Sequence, residues 1–265
     1  MRDTPRVAKS SLALGLLGLG VLTVLYRDFA LQWQPVPDWL PGRHAIAYLS
    51  GAFLLLIGAS LLLRRTELLA SRVFYIYSLI WLALKVPPLL SSPLNEGNWL
   101  GAGELAVIAA AGLALVASNE RPRRVARYAF AVALIPIGLS HFVYAKGTLG
   151  FVPTWLPFRS FWANLGGAGH IAAGLGVMFA VRALLAARME AAMIGAFTLL
   201  VWLPGIISAP TSRLQWTAFF MSWIIGAAAW VVAESMVKTP ATGANDAPVP
   251  APTRDVLATR APSRV

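Results

Sequence analysis

VPDWLPGRHAIAYLSGAFLLLIGASLLL, residues 36–63, and VPTWLPFRSFWANLGGAGHIAAGLGVMF, residues 152–179, align without a gap and share eleven of 28 positions. Val36, Pro37, Trp39, Leu40 and Pro41 pair with Val152, Pro153, Trp155, Leu156 and Pro157. The identities continue through Arg43 and Arg159, Ala47 and Ala163, Leu49 and Leu165, Gly51 and Gly167, Ala52 and Ala168, and Gly58 and Gly174. Apolar helices align by chance because they draw on few residue types. A tryptophan set between two prolines does not. The same offset brings Arg72 to Arg188 and Pro88 to Pro204, and one residue more brings Trp99 to Trp216. The chain reads as a duplication.

Of its 265 residues 58% are hydrophobic and 12% charged, against about 25% charged in a soluble domain. Apolar runs of roughly 17–22 residues recur, each long enough to cross ~30 Å of hydrocarbon as a helix. Eight spans are expected, at 10–26, 45–63, 73–90, 101–118, 128–145, 161–181, 191–208 and 216–233. Arg2, Arg6 and Lys9 before the first span resemble a secretory signal, but its counterpart at 128–145 lies mid-chain, so it is read as a retained helix. Four spans per unit is an even number, so both units start on the same side and are parallel, related by a pseudo-twofold axis along the membrane normal. The expected fold is an all-α polytopic membrane protein: eight transmembrane helices in two parallel four-helix repeats, 10–118 and 128–234. Around these lie an N-terminus (1–9), a basic linker (119–127) and a Pro-, Ala- and Thr-rich tail (235–265) without periodicity, read as disordered.

Charge sets the expected orientation. Twelve basic residues gather at one set of helix ends, namely Arg2, Arg6, Lys9, Arg64, Arg65, Arg72, Arg121, Arg123, Arg124, Arg127, Arg182 and Arg188. The opposite ends hold Arg27, Arg43, Lys146, Arg159 and Arg213, and the tail adds four more. The positive-inside rule then places both termini in the cytoplasm, in a multi-pass protein of the inner membrane. The net charge of +11 is a topology signal aided by anionic membrane lipids, not a nucleic-acid surface, because no basic stripe interleaved with aromatics forms. The absence of cysteine excludes disulfides, thiol catalysis and thiolate metal sites within the chain. Phosphate-cradling loops, HExxH and GxSxG are absent too.

Ionisable groups at membrane depth are costly and face interiors or cavities. Four stand out: Lys85, Glu104, His141 and His170. Each is expected roughly 5–15 Å below the external end of its helix. The offset of 116 places Val201 opposite Lys85, and Leu25 and Leu54 opposite His141 and His170, while one residue more brings Met221 opposite Glu104. Each half therefore keeps a different polar pair. Lys85 and Glu104, on consecutive helices, are expected to neutralise each other. The histidines either hydrogen-bond within the core or relay protons to a quinone. Haem is disfavoured because both sit at one depth on consecutive helices, and no third ligand supports a metal. Pro37, Trp39, Pro153 and Trp155 form external loop elbows, as interfacial anchors or as a lid over an outward cavity. Trp33, Trp99, Trp162 and Trp216 are expected at the same face.

GLSHFVYAKGTLGFVPTWLPFRSFWANLGGAGHIAAGLGVMF, residues 138–179, resembles the DoxX-like bacterial membrane proteins: a helix ending in His-Phe (His141–Phe142), a VPxWLP-type loop, then a glycine-rich helix. The family unit is a four-span protein, so the chain resembles two such units fused. His170 stands where many members carry a glutamate, and the first repeat lacks the histidine. The resemblance implies a membrane subunit of a quinone-linked oxidoreductase, with a redox partner subunit and quinone as the ligand. The residues also admit a structural, partner-anchoring protein. A third reading, a small-solute carrier, needs a polar route through the cytoplasmic half, where no buried charge is expected.

Overall fold

The computed structural model describes residues 6–31 and 33–237. Residues 1–5 and the tail beyond 237, including most of the segment expected to be disordered, lie outside the described residues. Every regular element among the described residues is helical: α1 Arg6–Tyr26, α2 Arg43–Leu62, α3 Glu67–Ala83, α4 Val86–Ser91, α5 Glu96–Val116, α6 Glu120–Val143, α7 Ala145–Phe151, α8 Arg159–Met178, α9 Ala183–Phe197, α10 Leu203–Ser208 and α11 Arg213–Glu234. A π-helical turn, Thr198–Trp202, joins α9 to α10.

Seven of these segments are long and apolar enough to cross a membrane: α1, α2, α3–α4, α5, α6, α9–α10 and α11. The chain is thus an all-helical bundle of multi-pass membrane character. Helix α8, 20 residues long, is not among the seven, because Arg159, Asn164, His170 and five glycines dilute its apolar content.

The helices begin two to eight residues before the expected spans, since polar first turns extend them past their apolar runs, except in α9, which opens on the apolar turn 183–186. The side chains of Asn95 and Asn119 cap α5 and α6 by accepting from Gly97 N–H (3.0 Å) and Arg121 N–H (3.1 Å). The expected linker 119–127 is therefore mostly the opening of α6. Its Arg123 is buried and donates to the Ala117 carbonyl at 3.2 Å. Proline sets the two broken spans. Pro87 and Pro88 open α4 after a turn at Leu84 and Lys85, and Pro204 opens α10 after the π turn.

Helices α5 and α11 form the centre of the bundle. Helix α11 packs on α1, α5 and α9, and α5 packs on α3, α6 and α11. Helix α8 is held between α6 and α9. Outward positions stay apolar, as at Leu49, Leu56, Leu199 and Ile207, which suits a lipid surround.

Ion pairs identify the two ends of the bundle. At the basic end Lys9 meets Glu67 at 2.6 Å and Arg188 meets Glu234 at 3.1 Å. At the other end Asp28, just after α1, pairs with Arg43 of α2 (2.7 Å) and Arg213 of α11 (3.0 Å). Arg213 also donates to the Phe29 carbonyl at 2.7 Å. This clasp ties the first loop to the last helix.

Both hexapeptide loops turn back on themselves, with Leu40 N–H bonded to the Pro37 carbonyl and Leu156 N–H to that of Pro153. Arg43 donates to the carbonyls of Val36 and Pro37, and Arg159 to those of Val152 and Leu149. Gly42 and Phe158, each directly before its arginine, adopt left-handed backbone with φ 70° and 55°. That conformation is free for glycine and strained for phenylalanine. Trp39 and Trp155 are exposed, as interfacial rings would be. Trp33 is not: it is fully buried, so it belongs to the core and not to an anchoring belt. Trp99 and Trp216 repeat one local contact, each indole N–H donating at 2.8 Å to a proline carbonyl six residues back.

Burial raises the Asp28 carboxyl's pKa, but the Phe29 N–H and the guanidiniums of Arg213 and Arg43 outweigh it and hold it below 3.8. A carboxylate with a lowered folded-state pKa stabilises above its unfolded value, and that stabilisation is lost as pH falls through the folded one. Asp28→Asn is expected to cost about 1–2 kcal/mol at neutral pH. Denaturation in detergent should show the gap from wild type narrowing as pH drops below 3.8.

Candidate functional site

A cavity of about 690 Å³ opens between α5, α6, α8, α9 and α11, within the usual range for small-molecule sites. Its wall is largely apolar. The polar exceptions include Glu104, Ser140, His141, His170 and Ser222, while Val152, Pro153, Trp155 and Leu156 of the second hexapeptide border it. The first hexapeptide does not border this cavity, and Trp39 is exposed.

Backbone proximity positions the histidines. Helices α6 and α8 approach so closely that a Cβ built on Gly138 would lie 2.6 Å from the Gly167 carbonyl, and one on Gly167 would lie 2.8 Å from that of Gly138. The same built atoms would meet His170 Cβ at 3.1 Å and His141 Cβ at 2.7 Å. Each histidine sits three residues beyond one glycine, on the same helix face, and each is seated against the other helix's glycine. The rings meet with centroids 5.2 Å apart, and Phe197 lies about 6 Å from both, at 6.2 Å and 6.0 Å.

The decisive partner is one the sequence reading did not include. His170 Nδ1 lies 2.7 Å from Glu190 Oε1, with both side chains almost wholly buried. Glu190 Oε2 has no hydrogen-bond partner among the described residues. The seventh span was expected to begin at Ala191, just past this carboxylate. Helix α9 begins at Ala183, so Glu190 lies two turns inside it. The expectation of no buried charge in that half is thereby corrected. The missed signal was the run ALLAARMEAAM, whose alanines and leucines already form a helix and whose Arg188 leaves the bundle to meet Glu234.

The His141 tautomer follows from chemistry. His141 Nδ1 faces the Ala163 carbonyl at 3.2 Å, and a carbonyl can only accept, so this nitrogen carries the hydrogen. His170 Nδ1 and Glu190 Oε1 share one hydrogen between them. In His141, Nε2 is left to accept a proton. Thr198 and Ser222, hydroxyls 2.8 Å apart, add a second buried polar pair at the π turn, where Leu200, Val201 and Trp202 also line the cavity.

The other expected pair is coupled only at a distance, each charge still favouring the other. Glu104 lines the cavity, but Lys85 makes no ion pair with it within 4 Å, and lies instead over Gly101, whose built Cβ would be 3.0 Å from Nζ. The turn before Pro87 and Pro88 places Lys85 against the start of α5, a turn short of Glu104. No cluster of three metal-ligating side chains occurs among the described residues.

Comparisons with family models, with curated proteins and with solved structures gave no match, so the site is read from its own chemistry.

Gly167→Ala should cost about 1–3 kcal/mol by forcing α6 and α8 apart. Glu190→Leu leaves a buried imidazole N–H unpaired and should cost about 3–5 kcal/mol, most of it recovered in the Glu190→Leu/His170→Leu double variant. Unfolding of the reconstituted protein measures both. Additive losses in the double variant would contradict a direct pair.

Proposed function

We propose that the chain is a DoxX-like membrane protein of two fused four-span repeats, acting as a membrane subunit of a quinone-linked oxidoreductase. Its cavity holds the quinone-class ring, and His141, His170 and Glu190 exchange protons with it. The carrying observation is the file of these three residues, leading from the wall of an apolar cavity to a buried carboxylate. A quinol releases two protons and two electrons on oxidation. The protons have acceptors here, and the electrons pass to a partner redox subunit.

The duplication draws support from contacts spaced like the sequence identities. Gly42 and Phe158, Arg43 and Arg159, and Trp99 and Trp216 stand in matching local structure. The neighbour pairs α1–α2, α2–α3, α3–α5 and α1–α11 recur as α6–α8, α8–α9, α9–α11 and α5–α6, the set a twofold through the α5–α11 contact would generate. On this reading α8 is the eighth span. The first helix of each unit takes a different offset: Gly20 faces the Gly51 carbonyl as Gly138 faces that of Gly167, a shift of 118. His141 then matches Thr23 in place of Leu25. With the basic end in the cytoplasm, the cavity mouth faces the external side of the inner membrane.

Glu190 also favours a second reading, a proton-coupled carrier, because it supplies a buried carboxylate in the basic half, where the other buried charge among the described residues is Arg123 at the start of α6. The two are separated by extracting the purified protein and identifying what it holds. The oxidoreductase reading expects quinone or quinol near one per chain, lost in His141→Leu. A protein that carries none, binds no added short-chain quinone and drives solute flux in proteoliposomes would be a carrier instead.

A further inference from the structure

In the first half the place that corresponds to the cavity is filled by the chain itself, and the small pocket of about 180 Å³ between α2 and α3 lies elsewhere, lined by residues such as Leu56, Ser60 and Leu69. Under the offset of 116, Ser50, Leu54, Tyr77 and Trp81 match Gly166, His170, Met193 and Phe197, and all four of the latter line the cavity. Against the first set lie Phe29, Trp33 and Gln34, all three buried. Trp33 meets Tyr77 edge-on at 5.8 Å, and Phe29 meets Trp81 at 6.0 Å. The Gln34 amide donates from Nε2 to the Tyr77 hydroxyl at 2.6 Å and to Ser50 Oγ, while its Oε1 accepts from Ala30 N–H at 2.9 Å. The plug is thus an aromatic ring beside an N–H donor.

The second half differs in both plug and receptor. Its corresponding segment folds as the short helix α7, whose Phe151 packs on Trp202 at the cavity's edge. The acceptors Ser50 and Tyr77 are replaced by Gly166 and Met193. In their stead stand two imidazoles whose Nδ1 atoms are already committed, to the Ala163 carbonyl and to Glu190. Because a carbonyl only accepts, His141 offers a ligand its Nε2 as an acceptor, so the site calls for a ring that brings a donor.

Resting on the proposed duplication and quinone site, we infer that the second-half cavity takes a hydroxy-aromatic ligand, with the quinol head preferred to the oxidised quinone, where the first half seats Trp33 and Gln34. A quinone head carries two acceptors and no donor, so facing Nε2 it forms no hydrogen bond.

The test uses the full chain in lipid nanodiscs at neutral pH. Four probes share one decyl chain: hydroquinone, quinone, phenol and plain alcohol. The hydroquinone and phenol should bind at least about tenfold more tightly than the quinone, the discrimination expected of one lost buried hydrogen bond. Decanol should not displace them. Trp33→Ala should add a second site for free indole to whatever the wild type binds. If that variant does not fold, Gly166→Leu is the check: its side chain points at His141 and Phe197, where a built Cβ lies 3.1 Å from each ring, and it should abolish phenol binding. Quinone binding as tight as hydroquinone, at a site lost in His141→Leu, overturns this inference and leaves the quinone reading standing. Phenol bound without either quinone form does the reverse. Decanol competing equally with phenol, or a folded Trp33→Ala that gains no indole, also overturns it.

Discussion

The site depends on one contact, the backbone-to-backbone approach of α6 and α8 at Gly138 and Gly167. In hydrocarbon there is no hydrophobic force between helices, so association rests on van der Waals packing, and small residues bring backbones together. Here the glycines also make room for something else. Each opens space for the Cβ of the other helix's histidine, so imidazoles on separate helices share one plane of depth. A methyl at either glycine would collide with a carbonyl oxygen, which cannot move aside as a side-chain tip can. The geometry of His141 and His170 is therefore set by backbone, not by rotamer choice.

That backbone constraint makes the buried carboxylate tolerable. A buried charge without a partner is severely destabilising, and a partner helps only when its geometry is held. Helix α8 is fixed on α6 by the glycines and packs on α9, so His170 reaches Glu190 along a path with little freedom. The lipid-facing side of the cavity is made differently. Helix α9 passes through a π turn before Pro204, and the widened turn carries Leu200, Val201 and Trp202 into the wall. A rigid polar file thus meets a wall built on an irregular helix.

Much of the fold was legible because its signals are redundant: apolar runs long enough to span, prolines that break them, and a repeated tryptophan elbow. Helix starts were less so. The apolar run marks where hydrocarbon begins, whereas most helices here begin at a capping Asn or a charged first turn several residues earlier. Helix α9 begins instead in the short apolar stretch 183–187, and Arg188 and Glu190 interrupt its apolar run, so Glu190 looked like a boundary residue. Trp33 misled in the opposite way, since a tryptophan near a loop suits an interface or a core equally and only packing decides. Lys85 and Glu104 looked paired because they fall on consecutive spans, but the turn before Pro87 and Pro88 sets Lys85 over Gly101. The histidines were found because ionisable residues in an apolar run are few enough to name one by one.

On the proposed duplication, one scaffold is stable while keeping a hole. Trp33 and Gln34 fill the first half's place with an aromatic ring, whose Nε1 stays unpartnered among the described residues, and an amide whose Nε2 is bonded, within a core of interlocked rings among Phe29, Phe53, Tyr77 and Trp81. The clasp of Asp28 with Arg43 and Arg213 then fastens this packed half to α11, whose far end forms part of the second half's core. Under the duplication, relaxed demand on one copy permits this division: the closed half supplies rigidity, and the open half can retain a cavity that costs dispersion contacts whenever nothing occupies it. The chemistry of the plug then becomes informative about the hole. On the proposed duplication, the site that Trp33 and Gln34 close keeps hydroxyl acceptors at Ser50 and Tyr77, its counterpart carries imidazoles, and a fixed internal partner is exchanged for one that can come and go with a proton.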